Sequence, residues 1–363
     1  MSLGDNCNLM RKLLILFVFC ILSPLVAKPA EGKDFNAGQM IMEHITDAHE
    51  WHILTLGHVH VSIPLPVILL HQGHLYVFSF SRFHHGEQMY KGFKYMTQGP
   101  LKGKIVYLGS AAAVQPMIPV DLSITKNVLA IFFSVVLLLL VFFSIASYYR
   151  KNPDSPPRGL AAFIEPIILF VRDDIAKSSI GEKNYERYTP YLLTVFFFIF
   201  FNNLLGLVPF FPGGANVTGN ITVTLVLALF TFIITTISGN RDYWRHIFNA
   251  PGVPWWLKIP VPLMPIVELL GVFTKPFVLM VRLFANITAG HIIVLGFISL
   301  IFIFGNIHPA LGYGVSWISL IMSVFLSLLE LLVAFLQAFV FTLLSALYFG
   351  MATEEHANHD NHH

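Results

Sequence analysis

Arg282 stands inside an apolar run from about Val261 to Phe304, four residues before Asn286 and nine before His291. A second apolar run, from about Val315 to Phe349, holds Glu330 and Gln337. A guanidinium in the hydrocarbon of a bilayer costs from ~3 to more than ~10 kcal/mol, and it stays protonated to above about pH 12. Its chemistry there is that of a fixed positive charge held to meet something negative. The alternative is an arginine that snorkels to a headgroup or pairs with a buried carboxylate for structure alone. At about 100° per residue Arg282 and Asn286 share a helix face, while His291 falls about 180° away; Glu330 and Gln337 share a face of the final helix. One wall thus offers Arg282, Asn286 and Gln337 to a partner. A separate polar track could use His291, Glu330, Glu268 and Asn203, of which His291 and Glu330 titrate and can carry protons. Lone polar groups in spanning helices are often inter-helix glue worth about 0.6 kcal/mol, and glue is an equal reading for Gln337.

The elements that position these groups follow from hydropathy. Of 363 residues, 55% are hydrophobic and only 12% charged, with a mean hydropathy of +0.69. Soluble domains carry about a quarter charged residues, so the fold class is an all-α polytopic membrane protein. A net charge of +2 with no basic, aromatic-interleaved stripe argues against nucleic acid. Both cysteines, Cys7 and Cys20, fall within residues 1–30, which read as a signal peptide: Arg11-Lys12, an apolar stretch to Val26, then small residues near Ala30.

Residues 31–125 form an exported segment rich in histidine, where His58–Ile63 and Leu75–Phe80 alternate as short strands do. Proton collection is one hypothesis for its histidines. His49-Glu50-Trp51-His52 is one residue short of the H-E-x-x-H zinc motif, so His44, His49 and His52 read as surface and turn residues rather than a metal site. The membrane domain covers 126–352 and a cytoplasmic tail 353–363. Five membrane helices are expected: Lys126–Tyr149, Tyr188–Phe210, Asn220–Ser238, Pro265–Phe304 and Val315–Phe349, with an uncharged loop from Asn306 to Gly314. Arg158–Lys177 reads as an amphipathic surface helix. The last two helices, about 60 and 50 Å at ~1.5 Å per residue, exceed ~30 Å of hydrocarbon, so each is steeply tilted or broken, as at Pro276. Arginine and lysine concentrate in 150–187 and 239–258, which places those loops and the C-terminus in the cytoplasm and the mature N-terminus outside.

The run Lys275-Pro276…Arg282-Leu283-Phe284-Ala285-Asn286…Ala289-Gly290-His291 closely resembles subunit a of rotary F-type ATP synthases. So do Leu336-Gln337-Ala338-Phe339 with the ending Met351-Ala352-Thr353-Glu354-Glu355-His356, Asn203–Pro209, and Asn216…Asn220–Leu225. The match covers about 120–356. The resemblance implies a non-catalytic, proton-translocating stator subunit of a bacterial inner membrane, with two half-channels beside a rotor ring of c subunits. Its other partners would be the stator b subunits, the remaining complex and the lipid bilayer, with no cofactor and no metal. It also implies that Arg282 is the stator arginine and Gln337 its partner. His291 and Glu330 stand where many bacterial members have a glutamate and a histidine, as though exchanged, and Gly206 where some have an aspartate. Against it, a secondary ion transporter would show inverted repeats, which are not seen, a di-iron enzyme would group histidines beside spanning helices, and a structural scaffold would not need Arg282 buried.

Overall fold

The computed structural model describes residues 36–56, 59–109, 116–153, 156–208, 212–248 and 263–354. The signal peptide and the histidine-rich tail expected from the sequence lie outside the described residues.

A small N-terminal module comes first. Helix α1 (Ala37–Ile45) is followed by strands β1 (Glu50–Leu56), β2 (Val59–Pro64), β3 (Pro66–His71), β4 (His74–Ser79), β5 (Phe93–Tyr95), β6 (Ile105–Tyr107) and β7 (Val120–Asp121). The two alternating stretches of the sequence lie in β2 and β4. Pairing is antiparallel throughout: β1 with β2, β3 between β4 and β7, and β5 with β6. Val67, Leu69 and Phe78 alternate inward from β3 and β4 to meet Phe83 and Phe93 in a core of their own.

Helices α2 (Lys126–Lys151), α4 (Tyr185–Leu207), α5 (Ile221–Ser238), α7 (Leu263–Ile307) and α8 (Pro309–Thr353) form the bundle, with α3 (Leu160–Leu169) and α6 (Arg241–Phe248) short between them. Among the described residues, five helices are therefore long and apolar enough to cross a membrane. Their outer faces show Phe143, Phe230 and Ile237 to the surroundings, as lipid contact requires. Inside, Leu192, Phe196 and Ile199 of α4 pack on Leu279 and Leu283 of α7 and on Ala338, Phe341 and Phe349 of α8.

One expectation is corrected and one open alternative is decided. The loop from Asn306 to Gly314 does not exist: α7 and α8 are each 45 residues long, and His308 alone separates them. His308 caps α8 by accepting from the Ala310 N–H at 3.2 Å, Pro309 fits the first helical position, and a side chain on Gly312 would meet Gly305 Cα at 2.7 Å. The reversal is tight enough to need a glycine at 312, whereas a Cβ on Gly305 would meet nothing within 4 Å, and an uncharged sequence hid it. Helix α7 also runs unbroken through Pro276, so its length of about 68 Å has to be taken up by tilt in ~30 Å of hydrocarbon.

The expected surface helix departs too. After α3 the chain winds as a π-helix over Phe170–Lys177, whose Val171, Ile175 and Ala176 are fully buried against the bundle. Those three residues pack toward α4 and α8, while Leu160, Phe163 and Leu169 of the preceding helix remain exposed.

Candidate functional site

Helix α7 carries the polar groups in an order that its rise of ~1.5 Å per residue makes legible. Lys275 lies about 10 Å on one side of Arg282 and His291 about 14 Å on the other. Arg282 and Asn286 are both exposed, on a face that no other helix among the described residues covers. No carboxylate among the described residues pairs with Arg282. Behind it, Gln337 is buried where α8 packs on α7, and the two side chains line one narrow cleft with Leu279, Leu283, Val340 and Phe341. The structure thus brings Arg282, Asn286 and Gln337 together, the first two presented outward and the third holding the seam.

His291 and Glu330 meet across the same two helices. His291 Nδ1 lies 2.9 Å from Glu330 Oε1, with both side chains nearly buried, at 12% and 7% of their surface. The contact is close but poorly aligned, since Oε1 accepts no hydrogen bond of good geometry. Small residues make room for the pair. A Cβ on Gly290 would stand 3.0 Å from Glu330 Oε1, and one on Gly206 would look toward His291 Nε2 at 3.8 Å.

Asn203 joins this group through α4. Its Nδ2 donates to the Ala334 carbonyl, one turn from Glu330, at 3.2 Å, and Thr218 Oγ1 donates to its Oδ1 at 2.5 Å. The turn after α4 adds Asn216, whose Oδ1 accepts from Gly219 N–H at 3.0 Å while its buried Nδ2 has no partner. Thr218 and Asn216 were not singled out by the sequence argument. Their signal was weak: polar residues in an uncharged turn read as ordinary turn formers.

Glu268 does not belong to this track. It precedes His291 by 23 residues, about 35 Å along the axis, on the far side of Arg282. There it lies within electrostatic reach of Lys275 and of Tyr243 on α6. Lys275 Nζ stands 5.5 Å from the Tyr348 ring centroid, and the cleft around them is lined with Thr231, Thr235 and Tyr243. Hydroxyls continue inward, with Tyr191 and Thr231 in contact at 2.8 Å and Thr231 and Ser345 at 3.3 Å. The i, i+4 threonines of α5 were the available signal for this cleft. Two polar clusters therefore flank Arg282, and among the described residues neither groups three or more histidine, cysteine, aspartate or glutamate side chains as a metal would require.

Comparison with known proteins bears on what such a wall belongs to. The family model described as ATP synthase A chain matches residues 128–350, from the start of α2 to the end of α8. A domain of unknown function, DUF8433, matches residues 40–122 of the N-terminal module. ATP synthase subunit a 2 of Chlorobium luteolum is 38% identical over 338 residues, covering 92% of this chain and 80% of the relative. Subunit a of Chloroherpeton thalassium is 43% identical over 67% of this chain and 70% of its own length. That of Myxococcus xanthus is 45% identical over 67% and 77%. The family model spans the helices that carry Arg282, His291, Glu330 and Gln337, and this chain therefore belongs to the ATP synthase A chain family.

Proposed function

We propose that this chain is the proton-translocating stator wall of a rotary ATP synthase, with Arg282 facing the membrane-embedded carboxyls of a rotor ring. The observation that carries the reading is Arg282 itself, a permanent cation on an exposed face of α7 with no carboxylate partner among the described residues of its own chain. Each ring carboxyl passing it is favoured in the ionised state by Coulomb attraction, about 4 kcal/mol at 4 Å for an effective dielectric near 20. A proton leaves the ring into one polar cleft and another enters from the cleft on the opposite side. His291, Glu330, Asn203 and Thr218 serve one side; Lys275, Glu268, Tyr243 and the α5 threonines serve the other. Arg282 cannot give up its proton, so it separates the two clefts rather than joining them. The ring of c subunits, the stator b subunits and the rest of the complex are the partners this role requires, in a bacterial inner membrane. The basic loops put the α6 side in the cytoplasm and the N-terminal module outside. Moving one charge through ~100 mV supplies ~2.3 kcal/mol, so several protons pass per ATP.

ATP-driven acidification of inverted vesicles tests this. With assembly verified by immunoblot, Arg282→Ala and Arg282→Lys both abolish pumping, because a desolvated lysine loses its proton and joins the two paths. Normal pumping by Arg282→Lys would reduce the charge to a structural one.

A further inference from the structure

The N-terminal module is fastened to the bundle at the end where His291 lies. Lys126 N–H donates to the Ala48 carbonyl at 2.8 Å, and Asn127 N–H to Asp47 Oδ1 at 3.1 Å. Trp51 is buried against Ala130 of α2 and against Ala215 and Val217, the turn that also supplies Asn216 and Thr218. Helix α1 packs on α7. Its last turn carries His44, whose carbonyl accepts from Lys126 Nζ at 3.2 Å. His44 keeps part of its surface in solvent and lies within electrostatic reach of His291.

We propose that His44 is the outermost proton relay of the His291–Glu330 cleft, and that the N-terminal module serves to hold it there. The proposal rests on the stator reading above and names a residue that the bundle does not contain. An imidazole has a protonation equilibrium near neutrality and two ring nitrogens, so it can take a proton from water on one side and release one toward His291 on the other. No charge accumulates and nothing but a proton moves. The charged and titratable groups around it are Lys126 on α2, His291 on α7 and Asp47 after α1. Lost hydration beside α7, then the Lys126 ammonium and His291, hold His44 below the ordinary histidine value. It therefore rests neutral, ready to accept, and passes on what it accepts.

The test uses the whole complex in proteoliposomes, with ATP synthesis driven by an imposed gradient and the pH on the module side varied. His44→Gln is compared with His74→Gln, an exposed histidine of the β3–β4 turn. His44→Gln slows proton entry about 3- to 10-fold at about pH 8, where free protons are scarce, and the deficit closes toward about pH 6. Free imidazole on the module side restores the rate. A His44→Gln rate equal to that of His74→Gln at every pH overturns the proposal. So does a deficit that neither pH nor imidazole relieves, which would mark a structural role. Arg282→Lys run alongside keeps the two ideas apart: normal synthesis there sinks the stator reading, whereas its failure with an unaffected His44→Gln sinks the relay alone.

Discussion

On the module side of Arg282, α7 presents His291 to Glu330 of α8 as a buried acid–base pair, closed in by Asn203, Thr218 and two glycines. On the other side, Lys275 lies against an aromatic ring among threonine and tyrosine hydroxyls, with Glu268 only half-buried nearby. One flank is a matched pair of titrating groups in a tight space. The other is a cation, a more hydrated carboxylate and neutral hydroxyls. A buried carboxylate and imidazole with little surface to water must move protons through each other, whereas a half-exposed carboxylate can be bypassed by water. The first flank should therefore be intolerant of change and the second forgiving.

The largest effect follows directly. Glu330→Gln keeps the shape and removes the titrating group, so proton flux through the assembled complex falls by about 100-fold or more. Glu268→Gln, the same change on the other flank, costs less than about tenfold. Comparable losses from both in a vesicle acidification assay would erase the difference between the flanks.

Exchanging the partners sharpens the point. His291→Glu alone places two carboxyls together, and Glu330→His alone two imidazoles; each single change leaves a buried charge unmatched at about 3–5 kcal/mol. The double variant, with glutamate at 291 and histidine at 330, restores an oppositely charged pair and recovers flux to within about threefold of the parent. If the double variant is no better than the singles, the pair is held by something other than its complementary charge. A smaller loss is expected of Gly290→Ala, whose new methyl would press on Glu330 Oε1 from 3.0 Å. Flux measured on assembled complex drops about tenfold, and a matching Gly296→Ala, where nothing stands within 4 Å, leaves it unchanged.

How far the sequence could see these flanks depends on which geometry was asked of it. Five spanning helices, the length of the last two and the shared face of Arg282 and Asn286 were legible, because hydropathy and the helical period report them. The companionship of His291 and Glu330 was legible because both are rare titrating groups in apolar runs. Glu268 was misgrouped since polarity alone says nothing of the ~35 Å of axial rise that separates it from His291. The one-residue hairpin at His308 was hidden because Gly312, which allows it, reads equally as a loop residue. The π-helical winding at Phe170–Lys177 and its buried Val171, Ile175 and Ala176 were not legible, since an amphipathic stripe does not say what covers it. His44 was visible only as one histidine among many, and its place on α7 depends on contacts between residues more than 80 apart, such as Lys126 with His44.

The smallest predicted effect concerns the module that holds His44. His49 Nε2 lies 3.1 Å from Asp121 Oδ2, joining β1 to β7, and its ring stacks on Phe80 at 5.6 Å. Burial opposes ionisation of Asp121, but the hydrogen bonds from His49 and Ser123 outweigh it and hold the carboxyl below its usual value. A carboxyl depressed in the folded state contributes stability that is present above its unfolded value, about 3.9, and lost as pH falls through the folded one. Through Asp121 the module therefore loses stability on acidification only below about pH 4. His49→Gln weakens the pairing by on the order of 1 kcal/mol and leaves proton flux at neutral pH unchanged. Hydrogen exchange of the β7 amides checks it: faster exchange in His49→Gln with normal flux separates the module's fastening from its relay, whereas a loss of flux would show that His44 depends on the β1–β7 tie as well as on Lys126.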